Sequence, residues 1–174
     1  MAKIETMTIP YTNADDNQIW LKGKTATAQT WAATISGIPK GAKIKSVVLS
    51  FANGHTYDKP GHTNVYWGAS TSGERLWSTS GSGNGGTYTV DLTSRINGNG
   101  TVNLYFHKTA NSGNTNSSVY FADVKITITY EKTGSLWNRA ENGGLVTYAL
   151  YHAENGSLTR YNAYHAENGT LVKY

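Results

Sequence analysis

From Ser118 to Tyr130 the chain reads SVYFADVKITITY, and its second half alternates without a break. Val124, Ile126, Ile128 and Tyr130 fall on one face; Lys125, Thr127 and Thr129 fall on the other. An extended strand has that period of two and a helix does not. β-Branched and aromatic residues dominate, as they do on half-buried pleated surfaces. The stretch therefore predicts a long strand with one face in a core. It also divides the chain. Sheet-like segments precede it, and from Thr133 onward the sequence becomes a repeat.

The segments before it follow the same rule with shorter runs. Lys3–Ile9 alternates, and Pro10 ends the run or marks a sheet edge. Gln18–Leu21, Thr25–Ile35, Asn64–Gly68, Arg75–Ser78, Thr87–Leu92 and Thr101–His107 each read as strands. Ala42–Ala52 is the second strong signal, with Ile44, Val47, Leu49 and Phe51 as core candidates. Its phase slips at Lys45–Ser46, as a β-bulge would make it. Turns fall at TNADDN (12–17), at GIPKG (37–41) and at the flat polar stretches 80–86 and 109–117. Short strands punctuated by Gly, Asn and Ser, with no helical period between them, predict an all-β sandwich or barrel.

Composition narrows the function classes. Only 15% of the 174 residues are charged, and twelve Tyr and five Trp stand against three Phe. Amphipathic aromatics of that kind suit wet surfaces as well as cores. The chain has no cysteine, which excludes a disulfide scaffold, a thiol nucleophile and a thiolate metal site. The formal charge of +4 is dispersed, and Lys40, Lys43 and Lys45 form its one small cluster, so no nucleic-acid arm is expected. MAKIETMTIP lacks the apolar run of a secretory signal, and no segment is long enough to span a bilayer. The expectation is a chain made in a cytoplasm and released by lysis or a dedicated route, without membrane insertion.

The order GIPKGAKIKSVVLSF, VYWG, RLW, YTVDLTSRINGNGTVNLYF, SVYFADVKITITY resembles the jelly-roll modules of the carbohydrate-binding and disaggregatase-related type. It covers roughly residues 30–130 and includes the VDLTS step at Val90–Ser94. The resemblance implies a jelly-roll β-sandwich, and similar modules look to be present in bacteriophage tail and adhesion proteins.

After that module the segments Ala140–Tyr148, Ala153–Tyr161 and Ala166–Tyr174 align with a period of 13 residues. Ala, Glu, Asn, Gly, Leu and Tyr recur in register. Asn-Gly between apolar alternations is a strong hairpin signal. The simplest expectation is an antiparallel meander that reverses at every Asn-Gly. The repeat is similar to tyrosine-containing hairpin repeats such as the YD repeats of surface and toxin shells. It departs from them in its shorter period and in His152 and His165, where Asp is usual. Short hairpins have open edges and one thin face. The tail is thus expected to dock or to form a homo-oligomer, such as a trimer, through Leu145, Leu158, Leu171, Tyr148, Tyr161 and Tyr174. The expected organisation is a sandwich domain over 1–131 and a repeat tail over 132–174.

Candidate chemistry is sparse. The few carboxylates suit surfaces and turns better than the paired geometry a glycosidase needs. Asp15, Asp16 and Asn17 offer oxygens of the kind Ca²⁺ takes, and an Asx turn accounts for the same residues. His55, Asp58 and His62 share one loop whose spacing matches no standard metal site. No cofactor is expected. Indole and phenol rings can stack on the apolar face of a sugar, and Trp20, Tyr66, Trp67 and Trp77 are the candidates for that role. Tyr66 and Trp67 are adjacent in a strand, so one faces inward and the other outward. The expected function is non-enzymatic: a bacteriophage virion component of the tail or capsid surface, binding cell-surface glycan through the sandwich and itself or other virion proteins through the tail. A free carbohydrate-binding module or bacterial surface adhesin is the alternative.

Overall fold

The computed structural model describes residues 3–14, 16–56, 60–79, 85–113 and 116–132, and the backbone of the later strand residues 137–141, 144–148, 152–154, 157–159, 164–167 and 170–173. The chain forms two compact units, Lys3–Lys132 and a C-terminal one over Thr133–Tyr174. Every regular element among the described residues is a strand.

The first unit contains β1 (Lys3–Pro10), β2 (Ile19–Leu21), β3 (Thr27–Ile35), β4 (Lys43–His55), β5 (Thr63–Trp67), β6 (Arg75–Thr79), β7 (Gly86–Asp91), β8 (Gly100–Lys108) and β9 (Val119–Lys132). One sheet runs β1-β9-β4-β7, with β2 also paired to β9; the other runs β3-β8-β5-β6. All pairings are antiparallel. β1 and β2 lie on successive stretches of β9, so together they serve as one interrupted strand. Counted that way, eight strands form two sheets in the order of a jelly roll.

The alternation foreseen in β9 is what joins the sheets. Val124, Ile126, Ile128 and Tyr130 are buried, and so are Val47, Leu49 and Phe51 of β4. From the other sheet Trp31, Ala33 and Ile35 of β3, Val65 of β5, and Val102, Leu104 and Phe106 of β8 meet them in one cluster. The three phenylalanines of the chain converge there. The Phe106 and Phe121 rings lie 4.8 Å apart, and Phe51 lies 5.4 Å from Phe121 and 6.4 Å from Phe106.

Two bulges keep both ends of the long strands in phase with this core. β4 carries the shift expected at Lys45, between the pairs Ile44–Tyr130 and Ser46–Thr129. The second bulge lies in β9, where Asp123 and Val124 together oppose Phe51, between the pairs Ser50–Lys125 and Ala52–Ala122. Asp123 adopts φ +52°, a left-handed conformation that Asp tolerates better than most residues. The extra residue reverses the alternation. Val119 and Phe121 are therefore buried before it, and Val124, Ile126 and Ile128 after it.

Local turns match their residues. Gly37 and Gly41 both take positive φ, +92° and +81°, around Pro39. The VDLTS step locks β7 to β4. Asp91 Oδ1 accepts from the Thr93 amide (2.8 Å) and hydroxyl (2.5 Å), and the Thr93 hydroxyl oxygen accepts from the Val47 amide (2.9 Å).

The C-terminal unit corrects one expectation. Its strands are β10 (Trp137–Glu141), β11 (Gly144–Tyr148), β12 (His152–Glu154), β13 (Ser157–Thr159), β14 (Tyr164–Glu167) and β15 (Thr170–Lys173). Each Asn-Gly is bracketed by a hairpin: Glu141 pairs with Gly144, Glu154 with Ser157, and Glu167 with Thr170. The hairpins do not run on as a single meander. The first and third combine as a four-stranded sheet, β10-β11-β14-β15, and the middle one, β12-β13, forms a sheet of its own. Hairpin closure is fixed by the turn, whereas the choice of neighbour is not local. Equivalent repeats therefore end up with different partners. Leu145, Leu158 and Leu171 occupy equal positions, each opposite the repeat alanine, and Tyr148 pairs with Trp137. Tyr161 and Tyr174 lie outside the described residues.

Candidate functional site

The site grows from the gap between β1 and β2. The Tyr11 amide donates to the Val124 carbonyl (2.7 Å), which extends the β1–β9 pairing by one step. The chain then leaves the sheet and returns at Ile19, opposite Phe121. Asn13 organises the excursion. Its Oδ1 accepts from the amides of Asp16 (3.1 Å) and Asn17 (2.7 Å), and its Nδ2 donates to the Gln18 carbonyl (2.8 Å). Its own amide donates to Asn17 Oδ1 (3.0 Å). Asn17 takes φ +56°, which Asn tolerates. The TNADDN turn is thus a side-chain-to-backbone knot of the kind Asn and Asp form.

Beside the knot lies a cleft of about 460 Å³, lined by Tyr11, Asn13, Asp16, Gln18, Trp20, Lys22 and Gln29. Alternation in β2 buries Ile19 and Leu21 and turns Trp20 to the other face. The Trp20 ring rests on Tyr120, its cross-strand partner, at 5.2 Å. Tyr120 in turn lies over Gly54, where a Cβ would come within 2.3 Å of the phenol oxygen. Gly54 is therefore what lets Tyr120 lie flat and carry Trp20. Tyr11 forms the other wall. It is buried, packs edge-on against Trp31 at 5.9 Å, and its hydroxyl oxygen accepts from Gln29 Nε2 (2.6 Å).

Charge in the cleft is balanced. The Trp20 indole N–H donates to Asp16 Oδ2 (2.7 Å) and the Gln18 amide donates to Oδ1 (3.0 Å). The Trp20 hydrogen bond, with help from the Gln18 amide and the Lys22 ammonium, holds the Asp16 carboxyl below the usual aspartate value. The cleft thus presents aromatic walls, three side-chain amides, a carboxylate kept ionised and an ammonium. Most of its lining side chains are polar, with Tyr11 and Trp20 as the two rings, so the cleft suits a hydrophilic ligand with a face that can stack on an aromatic wall. Alternating acceptors and donors beside an indole suit a polyhydroxylated ring.

The structure separates the four aromatic candidates. Trp20 lines the cleft. Trp67 and Trp77 do not fit the glycan-stacking expectation, because their strand positions turn them inward. Trp67 sits opposite buried Leu104 and Trp77 opposite buried Val65. Both are half-buried against the core, and Trp77 lies 5.1 Å from Phe51 and 4.8 Å from Tyr88. Tyr66 takes the outward face of β5, with Tyr105 at 6.4 Å and His107 at 6.3 Å. Burial lowers the His107 pKa, and the nearby Lys108 charge adds to this, which favours a neutral imidazole.

Of the cation candidates, Asp15 and Asp58 lie outside the described residues. Asp16 is engaged with Trp20 and Gln18 as above, which is the Asx-turn reading of that stretch. Among the described residues no group of three His, Asp or Glu side chains converges, and no helix is long and apolar enough to cross a membrane. Sequence reasoning did not single out Tyr11, Asn13, Gln18, Lys22 and Gln29. The polar turn beside a lone Trp was the one available signal, since Gln29 joins the cleft from another strand.

Comparison with known proteins adds little to this geometry. No protein-family profile matches the chain, and no curated protein matches it. Among solved structures, a chain of infectious bursal disease virus Gx strain is 14% identical, with a TM-score of 0.34 over 77% of this chain and 37% of that one. The infectious bursal disease virus VP2 subviral particle gives 14% identity and a TM-score of 0.34 over 75% and 37%. This chain spans a little over a third of the length of each. At such scores no residue or role is carried over from them.

Proposed function

We propose that the chain is a non-catalytic component of a virus particle, on the tail or capsid surface of a bacteriophage, whose sandwich binds glycan in the Trp20 cleft and whose repeat tail assembles copies. The observation that carries the binding half is the cleft itself: an indole propped by Tyr120, with Asp16, Asn13, Gln18, Lys22 and Gln29 around it. The assembly half is supported by a four-stranded sheet whose outer strands, β10 and β15, each pair on one side only among the described residues, and such edges are templates for further pairing. The abundance of Tyr and the low charge suit an outward-facing β-protein.

The binding test is a glycan array with the parent chain and Trp20→Ala. The parent is expected to bind a defined set of glycans, and Trp20→Ala to lose at least tenfold in affinity, about 1.4 kcal/mol, with an unchanged far-UV spectrum. A parent chain that binds nothing, or a variant that binds equally well, overturns this half. The assembly test is the mass in solution with and without residues 133–174. The full chain is expected as a trimer or larger and the shortened one as a monomer; equal masses overturn it.

A further inference from the structure

The tail contains one described strand pairing that lies outside a hairpin. β11 pairs antiparallel with β14, Val146 opposite His165 and Thr147 opposite Tyr164. It joins the second strand of one repeat to the first strand of another. The repeat advances by 13 residues, and the two hairpins involved are two repeats apart. Moving the same pairing along the repeat gives a definite result. Val172 and Lys173 on β15 stand where Val146 and Thr147 stand on β11. Arg139 and Asn138 on β10 stand where His165 and Tyr164 stand on β14. β10 and β15 are the two edges of the four-stranded sheet. Among the described residues, one edge is therefore a second strand without a first-strand neighbour, and the other is a first strand without a second-strand neighbour. The edges of a single copy are complementary in the sense already realised inside it.

We propose that β15 of one copy pairs antiparallel with β10 of a second copy, Val172 opposite Arg139 and Lys173 opposite Asn138. The register between molecules repeats the one that joins β11 to β14 within a molecule. This rests on the reading of the tail as an assembly device and adds the edge, the partner strand and the register. Such a contact is heterologous: each copy uses two different edges, so the assembly grows head to tail until it closes into a ring or continues as a row. Edge strands with unpaired N–H and C=O groups are templates for this kind of addition.

A disulfide trap tests the register in the full chain, which has no cysteine of its own. Within one copy β10 and β15 are three strand spacings apart, roughly 14 Å, beyond the about 7 Å that a disulfide allows between Cα atoms. A bond between positions 139 and 172 therefore reports contact between copies. Arg139→Cys and Val172→Cys chains are prepared separately, mixed and mildly oxidised. The expected product is a covalent dimer containing one of each, formed at least tenfold more than from either variant alone or from Arg139→Cys mixed with the off-register Thr170→Cys. Asn138→Cys with Lys173→Cys is the second pair. Neighbouring positions alternate between wide and narrow pairings, so the two pairs sample both geometries. Homodimers of single variants in equal yield overturn the proposal, because like edges would then be meeting. An oligomer by light scattering with neither pair trapped overturns the register while leaving the assembly reading intact. A monomeric full chain overturns both.

Discussion

Phe121→Ala is expected to destabilise the sandwich by about 3–5 kcal/mol, the range for removing a buried ring that its surroundings cannot refill. Phe121 is fully buried in β9. Its ring meets Phe106 at 4.8 Å and Phe51 at 5.4 Å, and Trp77 closes the cluster at 6.2 Å. Phe106 and Trp77 belong to one sheet and Phe51 to the other, so the truncation opens a cavity where the sheets are joined. Domains hold roughly 5–15 kcal/mol in total, and a melting temperature lower by roughly 10–20 °C is expected. Thermal and urea unfolding followed by circular dichroism would measure it. A loss below about 1 kcal/mol would show that the ring does not join the sheets. Ile4, 55% exposed on β1, provides the contrast: Ile4→Ser should stay within about 0.5 kcal/mol.

Lys108→Met is expected to cost roughly 2–4 kcal/mol, because it strands several buried acceptors at once. Lys108 ends β8 with no exposed surface. Its ammonium donates to the Gly23 carbonyl (2.7 Å), the Thr25 carbonyl (3.0 Å) and Asn111 Oδ1 (2.9 Å). Asn111 passes the network on: Oδ1 accepts from the Gly61 amide (3.0 Å), and Nδ2 donates to the Ser117 carbonyl (2.9 Å). One amine thus ties the loop before β3, the loop after β8 and the approach to β5. Methionine matches the length without the donors, and arginine brings a guanidinium too broad for the same three acceptors.

The pH dependence has a definite sign. Burial lowers the Lys108 pKa from 10.5, so between the folded and unfolded values the unfolded chain binds more protons. Stability contributed at Lys108 therefore rises with pH across that window. Tyr130 works in the opposite direction. Burial and its hydrogen bond to Glu5 raise its pKa above 10.0, so its contribution is lost as alkaline pH climbs toward the folded value. The difference between the parent chain and Lys108→Met isolates the lysine. An alkaline stability profile with the same slope in both would refute the assignment, as would a Lys108→Met cost below about 0.5 kcal/mol.

The residues at these two positions differ in how far they can be read from the sequence. Phe121 is a large apolar residue in a strong strand, which favours a buried place, but the period of two that turns Val124 and Ile126 inward would put it on the Lys125 face, and the bulge at Asp123 is what brings it into the core. Lys108 follows a strand pattern and looks like any surface lysine, because what buries it arrives from loops far away in the chain. The aromatic candidates divide in the same way. That Tyr66 and Trp67 face opposite ways follows from the pleat, but which one faces the core depends on Trp67 lying opposite Leu104. Trp77, a candidate for stacking on a sugar, stands against Phe51, since β6 joins the sheet with Val65 as its neighbour. The Trp20 cleft was half legible: the polar turn and the tryptophan lie together in sequence, whereas Gln29, Tyr120 and Gly54 reach it only through strand pairing.

Local sequence specifies what acts over a few residues: strands by period two, the bulge at Lys45, the glycine turn around Pro39 and a hairpin at each Asn-Gly. These depend on backbone sterics and on which side of a pleat a residue occupies. Tertiary structure alone decided which strand lies beside which. It set the jelly-roll order, the second bulge at Asp123, the burial of Lys108 and the pairing of the first hairpin with the third. Those choices are made by surfaces brought together over long stretches of chain, and three nearly identical repeats could not carry the information that tells them apart.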